Sequence, residues 1–158
     1  MTEGFAGKTA IVTGAAKGIG EAVSRALCAA GANVAMFDVD DAAGEAVAGD
    51  LENAIYFSVD ISDREAVNKA VTAAAEKFGT VDMLVNNAGI APPRTMDNMP
   101  EGDWERVLEI NLTGAFNCVK AATPYMKESG GSVVNVSSVA GKNISLGAGM
   151  HYTASKWG

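Results

Sequence analysis

The chain has 158 residues, enough for one domain with a real core and too few for two of ordinary size. Hydrophobic residues at 48% and charged residues at 20% are globular proportions, and a net charge of -7 argues against general attraction to nucleic acid or anionic membrane. No stretch reaches the roughly 18 consecutive apolar residues that a membrane span needs. The N-terminal "MTEGFAGK" lacks the basic and apolar regions of a signal peptide, so a cytoplasmic location is expected. Cys28 and Cys118 fall in apolar helical stretches, away from any CxxC or Cys/His spacing. They are expected as small buried hydrophobes rather than disulfide partners, and no metal site is expected.

In chain order, "KTAIVTG" reads as a buried strand that ends in a glycine turn. "GEAVSRALCAAGA" follows as a helix, with Ala22, Val23, Ala26, Leu27 and Ala30 at helical spacing and Gly31 as its stop. "NVAMFD" is a second strand, followed by an alanine-rich helix over residues 41–51. "AIYFSVD" is a third. "SDREAVNKAVTAAAEKFG" then opens with Ser62 and Glu65 at capping-box spacing and closes on Gly79. "VDMLVNNAG" and "GSVVNVSS" supply the fourth and fifth strands, separated by a helix over residues 103–127. The glycine-rich "VAGKNISLGAGMH" reads as a loop, and "YTASK" as the start of a further helix. Strands of nearly continuous apolar character that alternate with helices predict a parallel sheet covered on both faces. Right-handed crossovers make it a doubly wound, Rossmann-type α/β sheet of five strands, in a single domain over residues 1–158.

"TGAAKGIG" sits where the first strand turns into the first helix. Gly14 permits the tight turn, Gly18 lets backbone approach a pyrophosphate, and Gly20 lets the helix pack close to the sheet. The free N–H groups of that helix then face the phosphates. A P-loop is disfavoured because no Gly-Lys-Ser/Thr follows. Asp38 ends the second strand, eighteen residues after Gly20, where a carboxylate accepts from the adenosine ribose hydroxyls and repels a 2′-phosphate. NAD is therefore expected over NADP. Lys17 is a base that could meet an extra phosphate, but Val39 offers it no partner on the second strand.

The residues now reach a family. "TGAAKGIG", Asp38, Asp60, "NNAG" (residues 86–89), Asn111 in "INLTG", Ser138 in "NVSS" and "YTASK" appear together in this order. In this the chain resembles the short-chain dehydrogenases/reductases over essentially its whole length. The resemblance implies a cofactor site built from Gly14, Lys17, Gly18, Ile19 and Gly20 with Asp38. It adds Asp60 and Ile61 at the adenine, and Asn87, Ala88 and Gly89 along the cofactor. It implies a catalytic set of Asn111, Ser138, Tyr152 and Lys156. Tyr152 would exchange a proton with the substrate oxygen while hydride moves to or from the nicotinamide. An ammonium at ~4 Å favours a phenolate by about 4 kcal/mol at an effective dielectric near 20, which is the reason for Lys156. Lys156 and Tyr152 would also meet the nicotinamide ribose, Ser138 would donate to the substrate oxygen, and Asn111 would hold a water that links Lys156 to solvent. The family's active-site serine ends this strand, which selects Ser138 over Ser137. His151 is expected as a pocket-wall or surface residue.

The substrate implied is a neutral or mostly apolar secondary alcohol or ketone, since no cluster of charge lies in "IAPPRTMDNMP" or in the loop before Tyr152. The family pattern continues past Lys156 with the rest of a helix, two more strands and a substrate loop. It also implies a dimer or tetramer built through helices near the fifth strand. Two further readings are weighed: a non-catalytic nucleotide-binding fragment of such an enzyme, and a sugar epimerase. The second shares YxxxK but has a GxxGxxG loop rather than GxxxGxG.

Overall fold

The computed structural model describes residues 4–126, 130–143 and 147–158. Five parallel strands form one sheet in the order β3-β2-β1-β4-β5. They are β1 (Thr9–Thr13), β2 (Asn33–Asp38), β3 (Ala54–Ser58), β4 (Met83–Asn86) and β5 (Ser132–Asn135). The expected doubly wound architecture is the observed one. From β1 the chain runs outward through β2 to β3, then crosses back to place β4 on the opposite side of β1. The order therefore reverses between β1 and β4, and such a switch point opens a crevice at the carboxyl ends of the strands.

Alternation along the strands divides the core into two layers. Ile11, Ala35, Phe37 and Leu84 point to one face, where Val67, Val71 and Ala74 of α3 (Arg64–Phe78) and Cys118 and Ala122 of α5 (Ala115–Met126) cover them. Val12, Val34 and Met36 point to the other, beneath Val23 and Leu27 of α1 (Gly18–Ala29) and Val47 of α2 (Asp41–Gly49). Each such fully buried aliphatic side chain contributes roughly 1.5–3 kcal/mol. Cys118 is buried among them, and burial pushes its thiol up to about 12. Cys28 is only half-buried, and Ala22 and Ala26 of α1 face out.

Three local expectations are corrected. The helix expected to be capped by Ser62 and Glu65 begins at Arg64 instead, with Asp63 as its cap. Asp63 Oδ1 accepts from the Glu65 and Ala66 amides at 2.8 and 3.1 Å. The Ser62 hydroxyl is turned toward Asp60, donating to Oδ1 at 2.7 Å. The alanine-rich helix stops at Gly49, short of Leu51. The long helix before β5 runs as α4 (Asp103–Leu108), a widened π turn (Glu109–Gly114) and α5, and the break falls across Asn111. Lys127, its expected end, lies outside the described residues, as do Ile144, Ser145 and Leu146 of the expected glycine-rich loop. The chain finishes with α6 (Met150–Trp157).

β1 is buried at every position, whereas β5 is exposed at every position, with Val133 at 42% and Val134 at 54%. Among the described residues no helix is long and apolar enough to cross a membrane.

Candidate active site

The glycine loop lies across the switch point. Gly14 has φ +64°, and a Cβ there would come within 2.8 Å of Ala88 Cα, so the loop rests on the end of β4. A Cβ on Gly20 would overlap the Gly14 carbonyl oxygen, which is how α1 approaches so closely. Gly18, at φ +60°, would meet nothing within 4 Å, so its surroundings are open. Lys17 is the N-cap of α1 and makes no side-chain cap, leaving the first amides of the helix without a side-chain acceptor from that residue.

Thr13 and Asn87 stitch the loop to β4. Thr13 Oγ1 accepts from the Asn87 and Ala88 amides, both at 3.0 Å. Asn87 Nδ2 donates to the Thr13 and Gly14 carbonyls at 3.0 and 3.1 Å. The Asn87 side-chain nitrogen is thus committed within the chain.

A cleft of about 350 Å³ runs outward from this stitch, and Gly14, Asp38, Asp60, Ile61, Ala88 and Gly89 are on its walls. Lys17 and Asn87 border it too, whereas Gly18, Ile19 and Gly20 do not, and Ile19 stands 64% exposed. Asp38 Oδ2 accepts from the Ala16 amide at 2.9 Å, and its Oδ1 accepts from the Val39 and Asp40 amides at 2.8 and 3.1 Å. A carboxylate has about four acceptor directions, so room for a further donor remains. Asp60 Oδ1 accepts from both the hydroxyl and the amide of Ser62. The Ser62 hydroxyl is the main reason that this carboxyl ionises below its ordinary range; burial opposes it and the Arg106 charge assists. Lys17 Nζ lies 3.6 Å from Asp40 Oδ2, an exposed pair of little energetic weight. Arg106 was missed by sequence reading, although it stands four residues before Ile110 and both line this cleft. That i,i+4 spacing was the available signal.

At the other end stands α6. Lys156 Nζ donates to the Val136 carbonyl at 2.8 Å and lies 5.8 Å from the centre of the Tyr152 ring. A side chain at Gly89 would come within 3.7 Å of the same ammonium. Gly89 is therefore where the cleft and α6 meet. Asn111 Oδ1 accepts from the Ile90 amide at 2.8 Å, while its Nδ2 donates to the Ile90 carbonyl and to Ser155 Oγ at 2.9 and 3.0 Å. A second cavity of about 270 Å³ touches Asn86, Asn111, Ser137, Ser155 and Lys156. Ser137 Oγ donates to the Lys156 carbonyl at 3.2 Å, a structural contact. Ser138 Oγ accepts from the Ala140 amide at 3.2 Å, and among the described residues its hydroxyl proton is not committed. Ser138 and Tyr152 border neither of these two cavities. His151 is wholly buried, which corrects the expectation of a surface or pocket-wall position.

Comparison with known proteins places this geometry. Residues 8–158 match the short chain dehydrogenase family. The chain is 39% identical to a trans-4-hydroxycyclohexanecarboxylate dehydrogenase of Sinomonas cyclohexanicum, over 100% of this chain and 64% of that protein. It is 39% identical to a 3-alpha-(or 20-beta)-hydroxysteroid dehydrogenase of Mycobacterium bovis, over 99% of this chain and 61% of that one. It is 35% identical to an L-fucose dehydrogenase of Oryctolagus cuniculus, over 96% and 54%. The chain thus spans between about half and two thirds of the length of these relatives. With a glycine loop at the switch point and a YxxxK helix meeting it at Gly89, the chain belongs to the short-chain dehydrogenase/reductase family.

Proposed function

We propose that the protein is an oxidoreductase that transfers hydride between NAD and a neutral secondary alcohol or ketone, with Tyr152 as the proton donor or acceptor. The observation that carries the reading is the meeting of cleft and helix at Gly89, where Lys156 lies beside the cleft wall and Tyr152 stands one turn before it. The relatives named as dehydrogenases support the reaction class, and those named for hydroxylated substrates support an alcohol.

The residues present fit a nicotinamide dinucleotide. The open space at Gly18 and the uncapped start of α1 suit a pyrophosphate against Gly14, Lys17, Gly18, Ile19 and Gly20. The spare acceptor capacity of Asp38 suits the adenosine ribose hydroxyls and disfavours a 2′-phosphate. Asp60 and Ile61 would take the adenine, Asn87 to Gly89 would flank the middle, and Tyr152 and Lys156 would hold the nicotinamide ribose. The bound cofactor supplies the hydride acceptor or donor. Lys156 contributes a fixed positive charge that eases proton loss from the phenol. Ser138 turns its hydroxyl proton to the substrate oxygen and orients it. Asn111 commits both polar ends of its side chain to the protein, so a water that links Lys156 to solvent is held in this reading by main chain in the widened turn. A homo-oligomer, dimer or tetramer, is part of the same reading.

The reading set against it is dinucleotide binding without turnover. One experiment separates the two. A panel of secondary alcohols is offered with NAD and with NADP, while reduced nicotinamide and cofactor affinity are followed. NAD-dependent turnover is expected. Tight NAD binding with no turnover supports the second reading, and a strong NADP preference overturns the role given to Asp38.

A further inference from the structure

His151 is the protein's only histidine, and its imidazole is completely buried one residue before Tyr152. A buried polar ring is costly unless bonded. Its Nδ1 accepts from the Tyr152 amide at 2.9 Å, while its buried Nε2 has no partner among the described residues. A ring nitrogen that accepts carries no proton, so the neutral ring carries its proton on Nε2. Gly149 is the N-cap of α6 and makes no side-chain cap. A Cβ on Gly149 would overlap the imidazole and come within 3.0 Å of the Arg94 carbonyl. The ring thus occupies the space beside the helix start and supplies the acceptor that the cap residue lacks.

The other end of the Tyr152 residue is held as well. Ser155 Oγ donates to the Tyr152 carbonyl at 2.7 Å and itself accepts from Asn111 Nδ2. Both the amide and the carbonyl of Tyr152 are therefore bonded by side chains. That arrangement fixes the backbone from which the phenol projects, and hence its direction relative to Lys156.

We propose that His151 is a positioning residue for Tyr152: its neutral imidazole, protonated on Nε2, holds the Tyr152 amide through Nδ1 and so sets the first turn of α6. The inference rests on the reading of Tyr152 as proton donor. A core histidine that only fills space would behave differently under substitution. Asparagine places its Oδ1 where Nδ1 stands, glutamine reaches to the position of Nε2, and leucine fills the space without an acceptor.

The intact chain labelled with ¹⁵N-histidine gives one imidazole signal set, which is expected to show the Nε2–H tautomer; an Nδ1–H tautomer overturns the proposal. Hydrogen exchange at the Tyr152 amide, NAD affinity and NAD-linked turnover are then compared in His151→Asn, His151→Gln and His151→Leu. Asparagine is expected to keep amide protection and turnover within about threefold, while leucine and glutamine lose protection and roughly 10–100-fold in kcat at unchanged NAD affinity. Wild-type turnover in the leucine variant, or rescue by glutamine as good as by asparagine, overturns it. If the wild-type chain binds NAD but turns over no alcohol, the functional reading falls separately. Amide protection then still decides: loss in leucine with retention in asparagine supports the role of His151, and equal protection in all three overturns it.

Discussion

At the glycine loop the polar groups beside the crevice bond to one another: Thr13 takes two amides, Asn87 holds two carbonyls and Asp38 takes three amides. Around α6, among the described residues, the acting groups are held more sparsely, with Lys156 on one carbonyl and Ser138 on one amide. The supports differ in the same direction. The loop hangs on a strand buried at every position, while α6 is tied to the chain after β5 by Lys156 at the Val136 carbonyl and by Ser137 at the Lys156 carbonyl. The comparison teaches that the cofactor end is preassembled by internal bonds, whereas the chemical end is held by a few side chains, each of which matters more.

Substitutions at the two ends should therefore fail in different ways. The largest effect is expected from Lys156→Met, which removes the charge beside the phenol. Turnover should drop roughly 100–10,000-fold while the melting temperature stays near that of the parent. Steady-state kinetics beside a thermal melt reads this, and a collapse of the fold would break the contrast. Gly20→Ala should act in the opposite sense, since its methyl would meet a main-chain oxygen that cannot swing aside. A loss of about 3 kcal/mol in denaturant unfolding is expected, with weakened cofactor binding. Stability near the parent value would mean that the loop yields more easily than its bonding implies.

The smallest effect lies at the amino ends of the central strands β1 and β4. Asp82 accepts from Lys8 Nζ, the Thr9 amide and Thr80 Oγ1. Burial alone would raise its carboxyl, but these donors outweigh burial and hold it below the ordinary carboxylate range. Its contribution is therefore fully present above the ordinary value of about 4 and is lost as pH falls through the lower folded value. Acid unfolding curves should show this, and Asp82→Asn should flatten that limb without altering cofactor affinity.

What could be read from sequence alone followed the strength of local signals. The strands and their parallel arrangement were legible because "TAIVT" and "NVAMFD" are apolar on both faces and glycines mark their ends. The cap of α3 was placed one residue early because serine and aspartate are nearly equal caps. Arg106 escaped notice because a surface arginine on a helix looks ordinary until the cleft beside it is known. The burial of His151 was hidden for a related reason, since it depends on the small residue at 149 and on the chain near Arg94. The break at Asn111 was legible as an interruption, but its form as a π turn was not.

The side chain of Asn111 narrows what this position can accept. It accepts from the amide and donates to the carbonyl of one residue, Ile90, and gives its second proton to Ser155. Aspartate has the length but brings no donors and would face the Ile90 carbonyl with a charge; leucine has the bulk but offers neither function. Glutamine has the chemistry and is one methylene too long for a site that is already buried. Single-residue replacement at 111 therefore has no neutral step: the position can drift only if Ile90 and Ser155 find other partners at the same time.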